Sequence, residues 1–366
     1  MRYLLLAKTE ELRDKTVLLR IDCDVDLRDE GGDLVVDEDY RLKCVLSMIS
    51  FLLSHKVQKI IMIGHIGRPE GKVVEELKLE PIAEWFRGNL STNTKYQITN
   101  TKQIQNSNYQ ITNNIVLLEN VRFDKREEAN DDGFAKELAG LGDIYVNEVF
   151  GVSHRAHTSI VGIPKYLPSF YGLQFQKEVE KLTWLEQDAP RPLVFVLGGS
   201  KSDKLDYLEF LGSWADSVLV GGKLPMLIQN AKLKMQNLNQ NVKTGTNDLA
   251  PSITVSQYPS IKLAILTPNG LDISQESVEG FKEMIVKAAT VVWAGPMGKY
   301  EEKGNEVGTY EIAQAVADCP GIKIAGGGDT HRIISRLNLW HKFDFVSVGG
   351  GAMLAFLKGG KLVGQD

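Results

Sequence analysis

At 366 residues the chain is too long for one ordinary core and suits two domains. Apolar residues make up 43% and charged residues 24%, the balance of a soluble globular protein. A net charge of −5 argues against a nucleic-acid surface, so any basic site has to be local. Met1 to Lys8 holds too short an apolar run for a signal peptide, and no stretch reaches the ~18 apolar residues of a membrane span.

In chain order, the first half offers strands at Val17–Ile21, Ile60–Gly64, Val116–Leu118 and Ile144–Val146. Each runs into a loop rich in cationic or hydrogen-bonding groups. The first leads into Arg20-Ile21-Asp22-Cys23-Asp24, with Arg41 opening the next helix. The second leads into Gly64-His65-Ile66-Gly67-Arg68-Pro69 and the third into Glu119-Asn120-Val121-Arg122-Phe123. The fourth leads into a loop ending His154-Arg155-Ala156-His157. Guanidinium groups bind phosphate and carboxylate in a planar, bidentate fashion, and imidazole adds a smaller donor. In an acidic protein this set suggests a small, multiply anionic ligand; the plain alternative is a scatter of surface charges. Residues 91–114 are rich in Asn, Gln, Thr and Ser and repeat Tyr-Gln-Ile-Thr-Asn at 96–100 and 109–113. They read as a surface insertion with too little apolar area to build a core.

Phe175, Val179, Leu182 and Leu185 follow at helical spacing, and Ala189-Pro190-Arg191-Pro192 ends that helix. The division expected is a first domain over 1–171, a joining helix over 172–189 and a second domain over 190–366.

The second half offers strands at Leu193–Leu197, Ser217–Val220, Leu263–Leu266, Val291–Trp293, Ile322–Ala325 and Phe345–Val348, with an Asn- and Gln-rich stretch at 229–248. Nearly continuous apolar strands alternating with helices imply parallel sheets covered on both faces, with ligands at the strands' C-terminal ends. Those ends are glycine-rich here: Gly198-Gly199-Ser200-Lys201-Ser202-Asp203-Lys204, then Gly326-Gly327-Gly328-Asp329-Thr330 leading into a helix expected to start near His331, then Gly349-Gly350-Gly351. Glycine lets backbone N–H groups approach phosphates, and a helix N-terminus adds a favourable dipole. Lys201 and Lys204 would neutralise phosphoryl oxygens and Asp329 would hold magnesium, which together point to a nucleoside triphosphate. The chain has no G-x-x-x-x-G-K-[ST] loop, dinucleotide fingerprint, G-x-S-x-G elbow or H-E-x-x-H motif. Cys23, Cys44 and Cys319 are odd in number and widely spaced, as in a reduced cytosolic protein without zinc or disulfides. An anion on one domain and a nucleotide on the other suggest a small-molecule kinase, a reaction needing positioning and charge neutralisation rather than a nucleophilic side chain.

These motifs, in this order over nearly the whole chain, resemble those of phosphoglycerate kinases. Leu19-Arg20-Ile21-Asp22, His65 to Pro69, Glu119 to Phe123 and His154 to His157 look like that family's substrate motifs. Trp293-Ala294-Gly295-Pro296-Met297-Gly298, Glu301, Gly326 to Thr330 and Gly349-Gly350-Gly351-Ala352 look like its nucleotide motifs. The resemblance implies two Rossmann-like domains facing a central cleft, and transfer between 1,3-bisphosphoglycerate/ADP and 3-phosphoglycerate/ATP in glycolysis. It further implies a cytoplasmic monomer using Mg2+ with ATP or ADP, without nucleic-acid or membrane partners. Asp22, Asp24, Arg41, His65, Arg68, Arg122 and Arg155 would then hold 3-phosphoglycerate, with Arg41 also stabilising the moving phosphoryl group. Lys201 and Lys204 would contact nucleotide phosphates and that group, and Glu301 the ribose. Gly326, Gly327, Gly328, Thr330, Gly349 and Gly350 would line the nucleotide site, and Asp329 would ligate magnesium.

The chain departs from the family at several of these points. Asp24 stands for an Asn, Ala294 for an Asn and Val348 for a Thr, and Lys201 and Lys204 are three residues apart instead of four. A one-residue slip on a helix turns a side chain by about 100°. The expectation is that Gly198 and Gly199 absorb it, leaving Lys204 aimed at the nucleotide phosphates. The alternative is a binding or regulatory protein that keeps the fold and has lost catalysis; a kinase for another phosphorylated acid is the third reading.

Overall fold

The structure is a computed structural model that describes residues 1–91, 108–230 and 257–365. The chain forms two compact units, Met1–Leu182 with Gly359–Asp366, and Thr183–Lys358. The boundary thus falls inside one helix, and residues 359–365, read from sequence as part of the second half, go with the first.

Unit 1 contains β1 (Arg2–Tyr3), β2 (Thr16–Arg20), the hairpin β3 (Leu27–Glu30) and β4 (Asp33–Val36), β5 (Lys59–Ile63), β6 (Tyr109–Thr112), β7 (Ile115–Leu117), β8 (Ile144–Asn147) and β9 (Ser169–Tyr171). Its helices are α1 (Thr9–Leu12), α2 (Tyr40–Ser54), α3 (Glu80–Ser91) and α4 (Asp132–Ala139), and α5 (Leu173–Asp188) begins in it. The main sheet runs β1-β9-β8-β2-β5-β7-β6, parallel except for the last pair. Alternate residues explain its apolar strands. Val17 and Leu19 of β2, with Ile60 and Met62 of β5, join one core with Leu42, Val45 and Ile49 of α2. Leu18, Ile61, Ile63 and Tyr145 face the other way, into a second core with Leu138 of α4.

Unit 2 contains β10 (Leu193–Leu197), β11 (Ser217–Val220), β12 (Ile261–Leu263), β13 (Thr290–Ala294), β14 (Ile322–Gly326) and β15 (Phe345–Ser347). Its helices among the described residues include α6 (Leu208–Trp214), α7 (Gln275–Ile285), α8 (Val307–Asp318), α9 (Gly328–Arg336) and α10 (Gly350–Gly359). Its described strands are all parallel, in the order β12-β11-β10-β13-β14-β15. Both sheets are wound alike: the chain lays strands outward in one direction, returns beside its starting strand and proceeds in the other. The direction in which strands are added reverses between β2 and β8 in unit 1 and between β10 and β13 in unit 2, and such switch points open ligand crevices at the strand ends.

Three expectations need correction. The second Tyr-Gln-Ile-Thr-Asn copy is part of the sheet: Ile111 of β6 is buried, and the Tyr109 hydroxyl donates to Glu119 Oε2 at 2.7 Å. Alternating Tyr109 and Ile111 supplies the period-two apolar face that a surface-insertion reading overlooks. The first copy lies outside the described residues, as does most of the 229–248 stretch. The strand expected over Leu263–Leu266 sits at Ile261–Leu263, and the helix expected near His331 starts at Gly328. Among the described residues no helix is long and apolar enough to cross a membrane.

Candidate active site

In unit 1 the switch point places the ends of β2 and β8 side by side, Arg20 paired with Asn147. The chain beyond β2 turns back on itself, the Asp24 N–H donating to Asp22 Oδ1 at 3.1 Å. Arg41, in the first turn of α2, reaches over this turn: Nε lies 3.8 Å from Asp22 Oδ2, Nη1 lies 3.7 Å from Asp24 Oδ2, and Nη1 donates to the Asp24 carbonyl. Burial works against the Arg41 charge, yet Asp22, Asp24, Glu38 and Asp26 together hold its pKa above the ordinary value. Burial dominates at Asp22, raising its pKa despite Arg41. Asp24 also accepts from the Gly67 N–H at 2.9 Å, which ties the loop after β5 to the loop after β2.

The second rank of groups is buried. Arg122 Nη1 donates to the Gly67 carbonyl at 2.8 Å, and its Nε lies 3.3 Å from Glu128. Arg20, at 0% exposure, donates from Nη2 to His65 Nδ1 at 2.8 Å and from Nε to Ser159 Oγ at 2.8 Å. Burial, then Arg20 and Arg122, push the His65 pKa well below its usual value. Burial, Arg122 and Arg155 lower His157 to about 3. Both imidazoles are therefore neutral at physiological pH. Arg155 is half-buried, with Nε donating to His154 Nε2 at 3.3 Å, and Arg68 is exposed. The structure thus gathers Asp22, Asp24 and Arg41, joins Arg122 to the same loops through Gly67, and leaves Arg68 exposed at the sheet's ligand edge.

In unit 2 the loops after β10 and β13 interlock. Gly198 N–H donates to the Ala294 carbonyl at 3.1 Å and Gly199 N–H to the Pro296 carbonyl at 2.8 Å. Residues Ser202–Tyr207 form a 3-10 helix with Lys201 as its extended N-cap, so Lys204 lies within the helix and Lys201 just outside it. Gly199, ahead of this helix, has φ +102°, in the left-handed region that favours glycine. Lys204 Nζ enters the space between the two loops and donates to the carbonyls of Gly198 at 2.6 Å and Ala294 at 3.0 Å. A Cβ on Gly295 would lie 2.6 Å from that ammonium, so the glycine is what leaves it room. Burial lowers the Lys204 pKa to about 8, with Asp329 opposing and Lys201 reinforcing the shift. Lys201 is exposed.

A pocket of about 180 Å³ opens beside these loops, walled by Gly199, Ser200, Pro296, Gly298, Glu301 and Asp329, among others. Glu301 and Asp329 both lie in the wall of this pocket, beside Gly199, Gly222, Gly270 and Gly298. Gly326, Gly327, Gly328, Gly349 and Gly350 do not wall the pocket; they form a tight crossing between the ends of β14 and β15, where a Cβ on Gly350 would sit 2.9 Å from Gly327 Cα. Thr330 is fully buried, and its hydroxyl accepts from the Gly295 N–H at 2.9 Å, so its side chain braces the β13 loop. Among the described residues no group of three or more His, Cys, Asp or Glu gathers to hold a metal. Asp329, half-exposed at the pocket and 3.7 Å from Arg332 Nη1, fits a magnesium ion carried in on phosphates, which would keep most of its oxygen ligands from water and nucleotide.

Sequence reasoning missed Gly222 and Lys223 in the pocket wall, and Ser159 and Glu127 behind His65. The first pair carried a signal: Gly221-Gly222-Lys223 follows β11 as the other glycine loops follow their strands. Gly222 has φ +63°, and a Cβ there would meet Gly199 O at 2.5 Å and Gly199 N at 2.6 Å. Gly222→Ala should therefore displace the Gly199 turn. The expected result is nucleotide affinity down at least about tenfold with a stability loss of about 1–3 kcal/mol. Calorimetry with ATP and a urea melt check both, and unchanged ATP binding would place the nucleotide elsewhere.

The phosphoglycerate kinase family model matches residues 7–269 and 255–360. The phosphoglycerate kinase of Coprothermobacter proteolyticus is 36% identical over 384 residues, covering 97% of this chain and 96% of that one. That of Moorella thermoacetica is 35% identical over 385 residues, with coverages of 98% and 97%. The crystal structure of phosphoglycerate kinase from Pyrococcus horikoshii superposes with a TM-score of 0.77 at 26% identity, covering 100% of this chain and 98% of that one.

Proposed function

The chain belongs to the phosphoglycerate kinase family, and from that premise we propose residue roles for the reversible transfer between 1,3-bisphosphoglycerate/ADP and 3-phosphoglycerate/ATP. The match over nearly the full chain carries the activity. The roles rest on the two strand-end sites. The substrate's carboxylate is already ionised at neutral pH, so attack on the γ-phosphorus needs no general base; the new carboxylate–phosphorus bond forms as the bond to the ADP oxygen breaks. What the protein must supply is alignment and positive charge around the moving group. In this reading Arg41, Arg68, Arg122, Arg155 and neutral His65 hold 3-phosphoglycerate. Asp22 and Asp24 orient Arg41, and Lys201 and Lys204 face the nucleotide phosphates. Glu301 takes the ribose, and the glycine turns at Gly326–Gly328 and Gly349–Gly350 shape the phosphate end. Magnesium, held by Asp329 and the phosphates, would neutralise charge on the transferring end of the nucleotide. The three cysteines are free, in keeping with a cytoplasmic setting, and we propose a monomer.

Arg68→Ala and Arg155→Ala are expected to weaken 3-phosphoglycerate binding at least about tenfold each while leaving ATP binding nearly unchanged. Both arginines follow strands of unit 1 only. Calorimetry with each ligand separately decides: equal losses for both ligands would overturn the division of roles.

A further inference from the structure

Behind His65 lies a buried chain of hydrogen bonds that the transfer chemistry does not require. Glu127 is at 0% exposure, and its two carboxylate oxygens accept from one residue: Ser159 N–H to Oε2 at 2.9 Å and Ser159 Oγ–H to Oε1 at 2.6 Å. Having given its proton to Glu127, the Ser159 hydroxyl has only lone pairs to offer, and it accepts from Arg20 Nε at 2.8 Å. Ser159 is also fixed by its carbonyl, which accepts from the Tyr145 hydroxyl. Arg20 is held at a second point by the Ile21 carbonyl, and its Nη2 donates to His65 Nδ1 at 2.8 Å. A guanidinium has donors and no acceptor, so His65 Nδ1 must be the unprotonated nitrogen. The single proton of the neutral ring is therefore on Nε2.

We propose that Glu127, through Ser159 and Arg20, is a positioning residue that fixes His65 in its Nε2–H tautomer, so that the ring presents a donor to the substrate anion. Three observations support this. Every contact in the chain is directional and buried, where a wrongly placed proton has no water to compensate it. The carboxylate gives the buried Arg20 an opposite charge without touching it, leaving Nη2 free for the imidazole. Burial and the neighbouring guanidiniums keep His65 from taking a second proton, so choosing the tautomer is what the relay contributes. A free imidazole would divide between two tautomers, and the Nδ1–H form would turn a lone pair towards an anion. The inference rests on the reading that His65 faces 3-phosphoglycerate, and its primary readout is made without substrate so that the two can fail separately.

The experiment is nitrogen-15 NMR of the histidine ring nitrogens at neutral pH on the full-length protein, Glu127→Gln and Ser159→Ala. In the unmodified protein His65, assigned by loss of its signals in His65→Gln, should show a protonated Nε2 and an unprotonated Nδ1. Either variant should move it towards a tautomer mixture. The KM for 3-phosphoglycerate should rise about tenfold, the worth of one well-made hydrogen bond, with the KM for ATP unchanged. An Nδ1–H or doubly protonated His65 in the unmodified protein would overturn the proposal whatever the variants do. So would a pure Nε2–H ring in both folded variants, since any lost activity would then be structural. A tautomer shift without a change in the 3-phosphoglycerate KM would keep the relay and reject His65 as a substrate ligand.

Discussion

Lys204→Met is expected to lower turnover by a factor on the order of 10² to 10³, the usual cost of removing one pre-aimed positive group from a developing negative charge. On the proposed role, the ammonium waits between two carbonyls in the interlocked loops after β10 and β13, inside the field of Asp329. Neither carbonyl is an ion-pair partner, so its full charge is available to a phosphoryl group. Arg should not rescue, because the space a Gly295 side chain would occupy is already taken by Nζ, and a guanidinium is larger. The lowered pKa adds a second readout. With Lys204 at about 8 in the free enzyme, kcat/KM for ATP should fall on the alkaline side near that pH as the charge is lost. Pre-steady-state measurement of the phosphoryl-transfer step separates this loss from slowed product release; turnover within a few-fold of normal in Lys204→Met would remove it from the machinery.

Glu148→Gln is expected to stabilise the protein, and by an amount that grows with pH. Glu148 follows β8, is 3% exposed, and accepts from the Gln174 N–H at 3.0 Å, while Oε2 has no hydrogen-bond partner. That oxygen occupies the space of the absent side chain at Gly172, where a Cβ would sit 1.8 Å away. Burial raises the pKa from 4.5 to about 8, against backbone N–H groups of Gln174 and Phe175 that pull it down. An acid that holds its proton more tightly folded than unfolded gives its full contribution below pH 4.5 and loses it as pH rises through about 8. Across that window the variant should gain on the parent by up to about 1.4 kcal/mol per pH unit. Urea unfolding of both proteins over the same window measures it, and a difference independent of pH would mean that Glu148 is ionised in the native state.

The strands that build both sheet centres were legible because burial on two faces leaves an unbroken apolar run, as at Leu193–Leu197, which matches β10. The edges were not. β1 is two residues and β9 three, too short for any periodicity, and β6 hides in a polar repeat in whose described copy Ile111 is the one buried residue of the strand. The candidate cations were visible as residue types at strand ends, yet their division of labour was not. Nothing in the run Leu19-Arg20-Ile21-Asp22 says that Arg20 turns inward to an imidazole, because Ser159 and Glu127 approach it from 139 and 107 positions away in the chain. On an α-helical template the spacing of Lys201 and Lys204 is a one-residue slip, whereas the segment is a 3-10 helix that begins after Lys201.

Residues 359–365 belong to unit 1, where the Gly364 N–H donates to the Ser153 carbonyl at 3.0 Å. This bears on the order in which the protein can be completed on the ribosome. The first strands of unit 1 emerge early, but the segment that closes over Ser153 emerges only after all of Thr183–Lys358 has been translated. Ser153 lies two positions before Arg155 in the same loop. A nascent chain therefore holds the Ser153 loop without its Gly364 partner through the whole synthesis of Thr183–Lys358.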